Sequence, residues 1–113
     1  MADLVFIDVE EGAKRVLNNT KLYAKLLGKF KEDKSIAELE AALANGDMEK
    51  AQASAHTLKG IAANLSLVEL QKHCMEIENE IKANAVNPDH IVTVKDIHSK
   101  TVAEVDKVIS KYA

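Results

Sequence analysis

A chain of 113 residues with 47% apolar content and one cysteine, Cys74, holds about one domain and must build its core without a disulfide. Its net charge of −3 is spread along the chain with no basic stripe to follow a phosphate backbone, so nucleic acid is not an expected partner. No apolar run approaches the ~20 residues that cross a bilayer and no basic-then-apolar leader opens the chain, so no membrane association is expected. A cytoplasmic location is the expectation, in keeping with the lone thiol.

Abundant Ala, Leu, Lys and Glu, one proline and four isolated glycines favour helix almost throughout, with a trace of strand-like alternation at Leu4 to Val9. Asp8 followed by Glu10 and Glu11 reads as an N-cap with an acidic first turn, starting a short helix over about 8–17 that Asn18-Asn19 breaks. From Thr20, Leu22, Tyr23, Leu26, Leu27 and Phe30 form a stripe that Ile36, Leu39 and Leu43 continue. Ser35-Ile36-Ala37-Glu38 has the form of a capping box, but no glycine or proline lies between Gly28 and Gly46, so one long helix over about 20–45 is expected. Asn45-Gly46-Asp47 ends it and caps the next helix, about 47–65, whose Met48, Ala51, Ala55, Leu58, Ala62 and Leu65 make a buried seam. Ser66-Leu67-Val68-Glu69 is a second capping-box match, opening a helix over about 67–84 with Leu67, Leu70, Cys74, Ile77 and Ile81 inward. Asn87-Pro88 starts the last helix, about 88–112. The predicted fold is all-α, an up-down-up-down four-helix bundle with a short additional N-terminal helix, in one domain spanning 1–113.

The helix over about 47–65 carries one local inconsistency, Gly60, mid-helix at a cost of roughly 1 kcal/mol relative to alanine. At ~100° per residue, His56, Gly60 and Ala63 share the side facing away from the Leu58 and Leu65 seam, with Lys59 beside them. Ala53, Ser54, Ala55 and Ala63 leave the imidazole above a low surface that a second globular domain can approach. Neutral imidazole is available as a nucleophile near pH 7, and an ammonium one turn on can bind a phosphoryl oxygen, so the pair suits reversible phosphoryl transfer. Gly12, Gly28, Gly46 and Gly60 write neither a P-loop nor a dinucleotide fingerprint, so the chain is not expected to bind ATP and phosphorylate itself.

Ala55-His56-Thr57-Leu58-Lys59-Gly60-Ile61-Ala62-Ala63-Asn64-Leu65 resembles the histidine phosphotransfer (HPt) domain family of two-component phosphorelays. Ile7-Asp8 with Gly12 and Arg15, and Leu22-Tyr23 with Leu26-Leu27 and Phe30, are similar to the family's N-terminal pattern, and the last helix matches only in periodicity. The resemblance implies a bundle whose exposed histidine takes phosphate from a sensor histidine kinase or an aspartyl-phosphate and yields it to the receiver domain of a response regulator. His56 is then the phospho-acceptor, Lys59 binds phosphoryl oxygens and Gly60 gives the receiver steric access. The family often holds the histidine with a Gln or Glu of the following helix. Residues 56 and 78 lie equally far from the turn at Leu67, which makes Glu78 the candidate to accept the Nδ1 proton and leave Nε2 as nucleophile. A monomer without cofactor or metal is expected. Ser66 departs from the glycine common at the end of the family's motif, which bears on docking specificity.

Other readings weigh against these assignments. Glu78 is equally a surface partner for Lys82 at i, i+4, and the whole chain is alternatively a non-catalytic helical interaction module that docks receiver or kinase domains without phosphotransfer. His73, His90 and His98 are expected at the surface. A di-metal carboxylate site needs Glu-x-x-His from two helices, whereas His73 to Glu76 runs in the reverse order and has no matching segment. Cys74 reads as a small buried apolar residue, and Tyr23 and Phe30 as core.

Overall fold

The structure, a computed structural model, describes residues 5–112. Within them are six helices and no strand: α1 (Val9–Lys14), α2 (Thr20–Glu32), α3 (Ser35–Ala44), α4 (Met48–Leu65), α5 (Val68–Lys82) and α6 (Pro88–Tyr112). Side-chain caps form at three starts, those at Asp8 and Asp47 as read from the sequence. Asp8 accepts from the Glu11 amide, Asn19 from the Leu22 amide and Asp47 from the Lys50 amide, each satisfying a first-turn N–H that the helix leaves unpaired. The break after α1 is sharp because Leu17 and Asn18 both take positive φ, 55° and 61°.

The expected single helix over 20–45 is two helices. Asp33 is extended (ψ 140°), and its Oδ2 accepts from the Ser35 amide at 2.9 Å. An aspartate side chain that satisfies a backbone N–H two residues on makes a turn without glycine or proline, which composition alone did not reveal. The helix restarts at Ser35, where the capping box was read, but Lys34 holds the N-cap position and makes no side-chain cap bond. The second capping box is also overturned. Ser66 ends α4 in the left-handed region (φ 56°, ψ 42°), Leu67 is the N-cap of α5, and no side chain caps that helix.

Packing runs in a ring in which α3 lies on α4, α4 on α5, α5 on α6, and α6 closes on α2. With α2 and α3 acting as one bent rod, this is the four-rod bundle expected, consecutive rods being antiparallel across short turns. The α4 seam (Ala51, Ala55, Leu58, Ala62, Leu65) and the α5 seam (Leu67, Leu70, Cys74, Ile77, Ile81) are buried as read, together with Tyr23, Leu27, Phe30 and Leu39, whereas Met48, read as the first residue of the α4 seam, is half-buried. Leu22, placed in the α2 stripe by periodicity, is exposed.

The strand-like trace before α1 has a physical counterpart, although Leu4 lies outside the described residues. Phe6 accepts from the Val68 amide at 3.0 Å and the Asp8 amide donates to Ser66 at 2.9 Å, so this extended segment pairs with the α4–α5 turn. Gly12 then sits against the Tyr23 ring so closely that a Cβ would lie 2.5 Å from it. The Tyr23 hydroxyl donates to the Leu65 carbonyl at 2.5 Å, and burial, with the nearby Asp8 charge, pushes its pKa up to about 12. Arg15 bonds the Ser66 hydroxyl and pairs with Glu11 at 2.7 Å. The N-terminal segment thereby fastens the end of α4, the helix that carries His56.

Candidate functional site

His56 stands at the middle of α4 with its side chain 69% exposed, while Glu78 of α5 is 3% exposed directly behind it. Two antiparallel helices joined by a tight turn place residues equally distant from that turn side by side, which is why positions 56 and 78 meet. His56 Nδ1 lies 3.1 Å from Glu78 Oε2. With the proton on Nδ1, the bond orients the ring and leaves the Nε2 lone pair outward, where no group among the described residues hydrogen-bonds it.

Lys59, one turn along α4, donates to the other oxygen, Glu78 Oε1, at 2.6 Å. Lys82 Nζ, one turn along α5, is 3.7 Å from Oε2. Glu78 therefore contacts both His56 and Lys82, but it is buried and not the surface residue that the second reading expected. Burial by itself pushes the Glu78 pKa up, but the hydrogen bonds from Lys59 and His56 and the charges of Lys59 and Lys82 outweigh it, holding the carboxyl below its ordinary value. The carboxylate is thus charged at neutral pH in a site that would disfavour it without those lysines.

Around the ring, Glu49, Gln52 and Ala53 of α4 and Lys82 of α5 line a shallow depression. Glu49 and Gln52 were not singled out from the sequence, yet their positions seven and four residues before His56 place them on its side of the helix. Gly60 is exposed, and a Cβ built on it meets nothing within 4 Å. Close packing within the chain therefore does not account for the glycine, and a methyl group there would project from the face that bears His56.

The surface expectation fails for the other three histidines, each of which is half-buried. His98 packs on Phe30, ring centroids 5.3 Å apart, and its Nε2 is buried with no hydrogen-bond partner among the described residues. Burial there outweighs the raising effect of Asp33 and lowers the pKa of His98. His73 and His90 face one another between α5 and α6, away from His56. Cys74 is buried as read, and burial pushes its thiol up to about 12, which leaves it no thiolate at neutral pH.

An exposed imidazole tethered to a buried carboxylate on the long helices of an all-α bundle is an arrangement suited to a histidine that exchanges a group with other proteins. The chain belongs to the Hpt domain family, whose model, described as Hpt domain, matches residues 25–104, well over half its length. No curated protein and no solved structure matches it. The matched span contains His56, Lys59, Gly60 and Glu78 and begins after Ile7, Asp8, Gly12 and Arg15. Membership implies a histidine phosphotransfer role in a phosphorelay, in which such domains meet receiver domains and kinases. Among the described residues no helix is long and apolar enough to cross a membrane.

Proposed function

We propose that His56 is the phospho-acceptor of a phosphorelay, taking a phosphoryl group from a sensor histidine kinase or a receiver aspartyl-phosphate and delivering it to a receiver aspartate. The observation that carries this reading is the exposed ring whose Nδ1 is engaged by buried Glu78, so that Nε2 alone faces an approaching domain. In transfer from a receiver, the Nε2 lone pair attacks phosphorus, the N–P bond forms and the P–O bond to aspartate breaks. The electron pair leaves on the aspartate carboxylate. The imidazole keeps its Nδ1 proton and becomes positively charged, and the Glu78 carboxylate 3.1 Å away offsets that charge. Delivery to the next receiver runs the same step in reverse.

Lys59 acts in two ways in this scheme. In the unmodified protein it neutralises Glu78, and with a phosphoryl group on Nε2 its ammonium is near enough to turn toward a phosphoryl oxygen, as Lys82 is from the other side. Gly60 keeps the docking face flat. In this proposal the unit is one domain spanning 1–113 that works as a monomeric cytoplasmic carrier, its one accessible ring meeting donor and acceptor in turn.

Mixing the chain with a receiver domain phosphorylated on its aspartate should transfer acid-labile phosphate to it. His56→Gln should abolish the label, and label persisting undiminished in that variant would refute the assignment. Receiver binding without label in the wild type would favour the docking-only alternative.

A further inference from the structure

On the side of α5 away from the His56 site, two histidines and three carboxylates gather where α5 meets the start of α6. His73 Nδ1 and His90 Nε2 face each other at 3.5 Å, and Glu76 Oε2 lies 3.8 Å from the same His90 nitrogen. All three ligand atoms fall within 4.8 Å of one another. We propose that His73, Glu76 and His90 form a binding site for a late first-row divalent cation of the Zn²⁺ type, completed by solvent.

The spacing is the first argument. Two nitrogens bound to one tetrahedral Zn²⁺ at the usual bond length stand about 3.4 Å apart, close to the separation of this pair. Without a cation, two imidazole nitrogens aimed at one another can share only a single proton, a weak use of two side chains that are just 19% and 12% exposed. The second argument is what lies behind the rings. His90 Nδ1 bonds Glu80 Oε2, and Glu80 Oε1 is in turn held by the Asn87 amide at 3.0 Å. His73 Nε2 has Glu69 Oε1 3.9 Å away. His90 thus turns one nitrogen to a bonded carboxylate and the other to the shared point, the arrangement that fixes the tautomer and raises the basicity of a metal-binding histidine, while the Glu69 carboxylate near His73 adds negative charge without a hydrogen bond.

Charge is the third argument. Among the described residues, Glu69, Glu76 and Glu80 form ion pairs only with these two histidines, and no lysine or arginine neutralises them. The cluster is therefore electron-rich and anionic. Nitrogen donors select Zn²⁺, Ni²⁺, Co²⁺ or Cu²⁺ over Mg²⁺ and Ca²⁺. A cation bound here would tie α5 to the first turn of α6.

The test is calorimetric titration of the untagged, chelator-treated chain with Zn²⁺, together with the visible spectrum of the Co²⁺ adduct. One equivalent should bind, Co²⁺ should give the bands of a low-coordinate site, and Zn²⁺ at about a hundred times Kd should raise Tm by roughly 10 °C. His73→Gln and His90→Gln should each abolish the Co²⁺ bands. Because His90 also anchors Glu80, Glu76→Gln supplies an independent check at a more exposed side chain, with affinity expected to fall at least roughly tenfold. His56→Gln should bind Zn²⁺ like the wild type. Absence of binding to the wild-type chain, binding that survives His73→Gln and His90→Gln, or binding lost in His56→Gln would each overturn the proposal.

Discussion

Replacing Glu78 by glutamine keeps the shape of the side chain and removes its charge. The amide oxygen can still accept from His56 Nδ1, so ring orientation survives in part, but the positive charge that forms on the imidazole loses its counter-charge. A hydrogen bond to an ionised partner contributes roughly 1.5–3 kcal/mol against about 1 for a neutral one. If the difference of about 0.5–2 kcal/mol is expressed in the transition state, transfer from a phosphorylated receiver should slow by roughly 2- to 30-fold. Single-turnover transfer at saturating receiver measures this without interference from docking affinity. Stability supplies a second readout. The Glu78 carboxyl sits below its ordinary value of 4.5 in the folded chain, so its stabilisation is complete above that pH and is lost as pH falls through the folded pKa. The stability advantage of wild type over Glu78→Gln should therefore shrink on acidification, in urea melts at neutral pH and at pH 3–4. An unchanged transfer rate, with an advantage that does not depend on pH, would refute the role given to this carboxylate.

Gly60→Ala should raise stability by roughly 0.5–1 kcal/mol, because a mid-helix methyl that touches nothing removes the glycine penalty; receiver-dependent transfer should slow at the same time, and a faster or equal rate would separate Gly60 from docking. Gly12→Ala should destabilise by roughly 1–3 kcal/mol in thermal or urea melts, since its Cβ would overlap the buried Tyr23 ring. At Ser66, whose φ is 56°, glycine should give a chain about 1–2 kcal/mol more stable than alanine does, both having lost the hydroxyl that Arg15 holds. Equal stability of Ser66→Gly and Ser66→Ala would mean that the left-handed geometry is not maintained.

Much of the bundle was legible because apolar spacing in α4, α5 and α6 follows the helix repeat, and the caps at Asp8 and Asp47 are residues with one dominant local use. What misled the reading was polar chemistry with two possible partners. Asp33 bends the chain through a bond to the Ser35 amide, an effect invisible where the expected turn-makers are glycine and proline. Ser66 has the sequence context of a cap, yet its hydroxyl goes to Arg15 and its backbone to the left-handed conformation that glycine adopts easily. The meeting of His56 and Glu78 followed from symmetry about a tight turn, whereas that of His73 and His90 depends on how α6 approaches α5, which the spacing of residues along either helix does not fix.

Helix α5 carries carboxylates to two different histidines, and the surroundings of each decide what chemistry is available. Glu78 and Glu80 are about 200° apart around the helix, so one reaches toward α4 and the other toward α6. Beside Glu78 stand Lys59 and Lys82, and the ring it orients presents its other nitrogen to solvent. There the positive charges leave room for an incoming anion, which is what a phosphoryl group requires. Beside Glu80 there is no lysine among the described residues, and the ring it orients turns its other nitrogen onto a second imidazole and Glu76. Here the donors converge on a point that favours a cation. The same His–Glu pairing therefore meets opposite surroundings on the two faces of one helix, lysines on one and further lone pairs on the other, and the two proposals rest on that contrast.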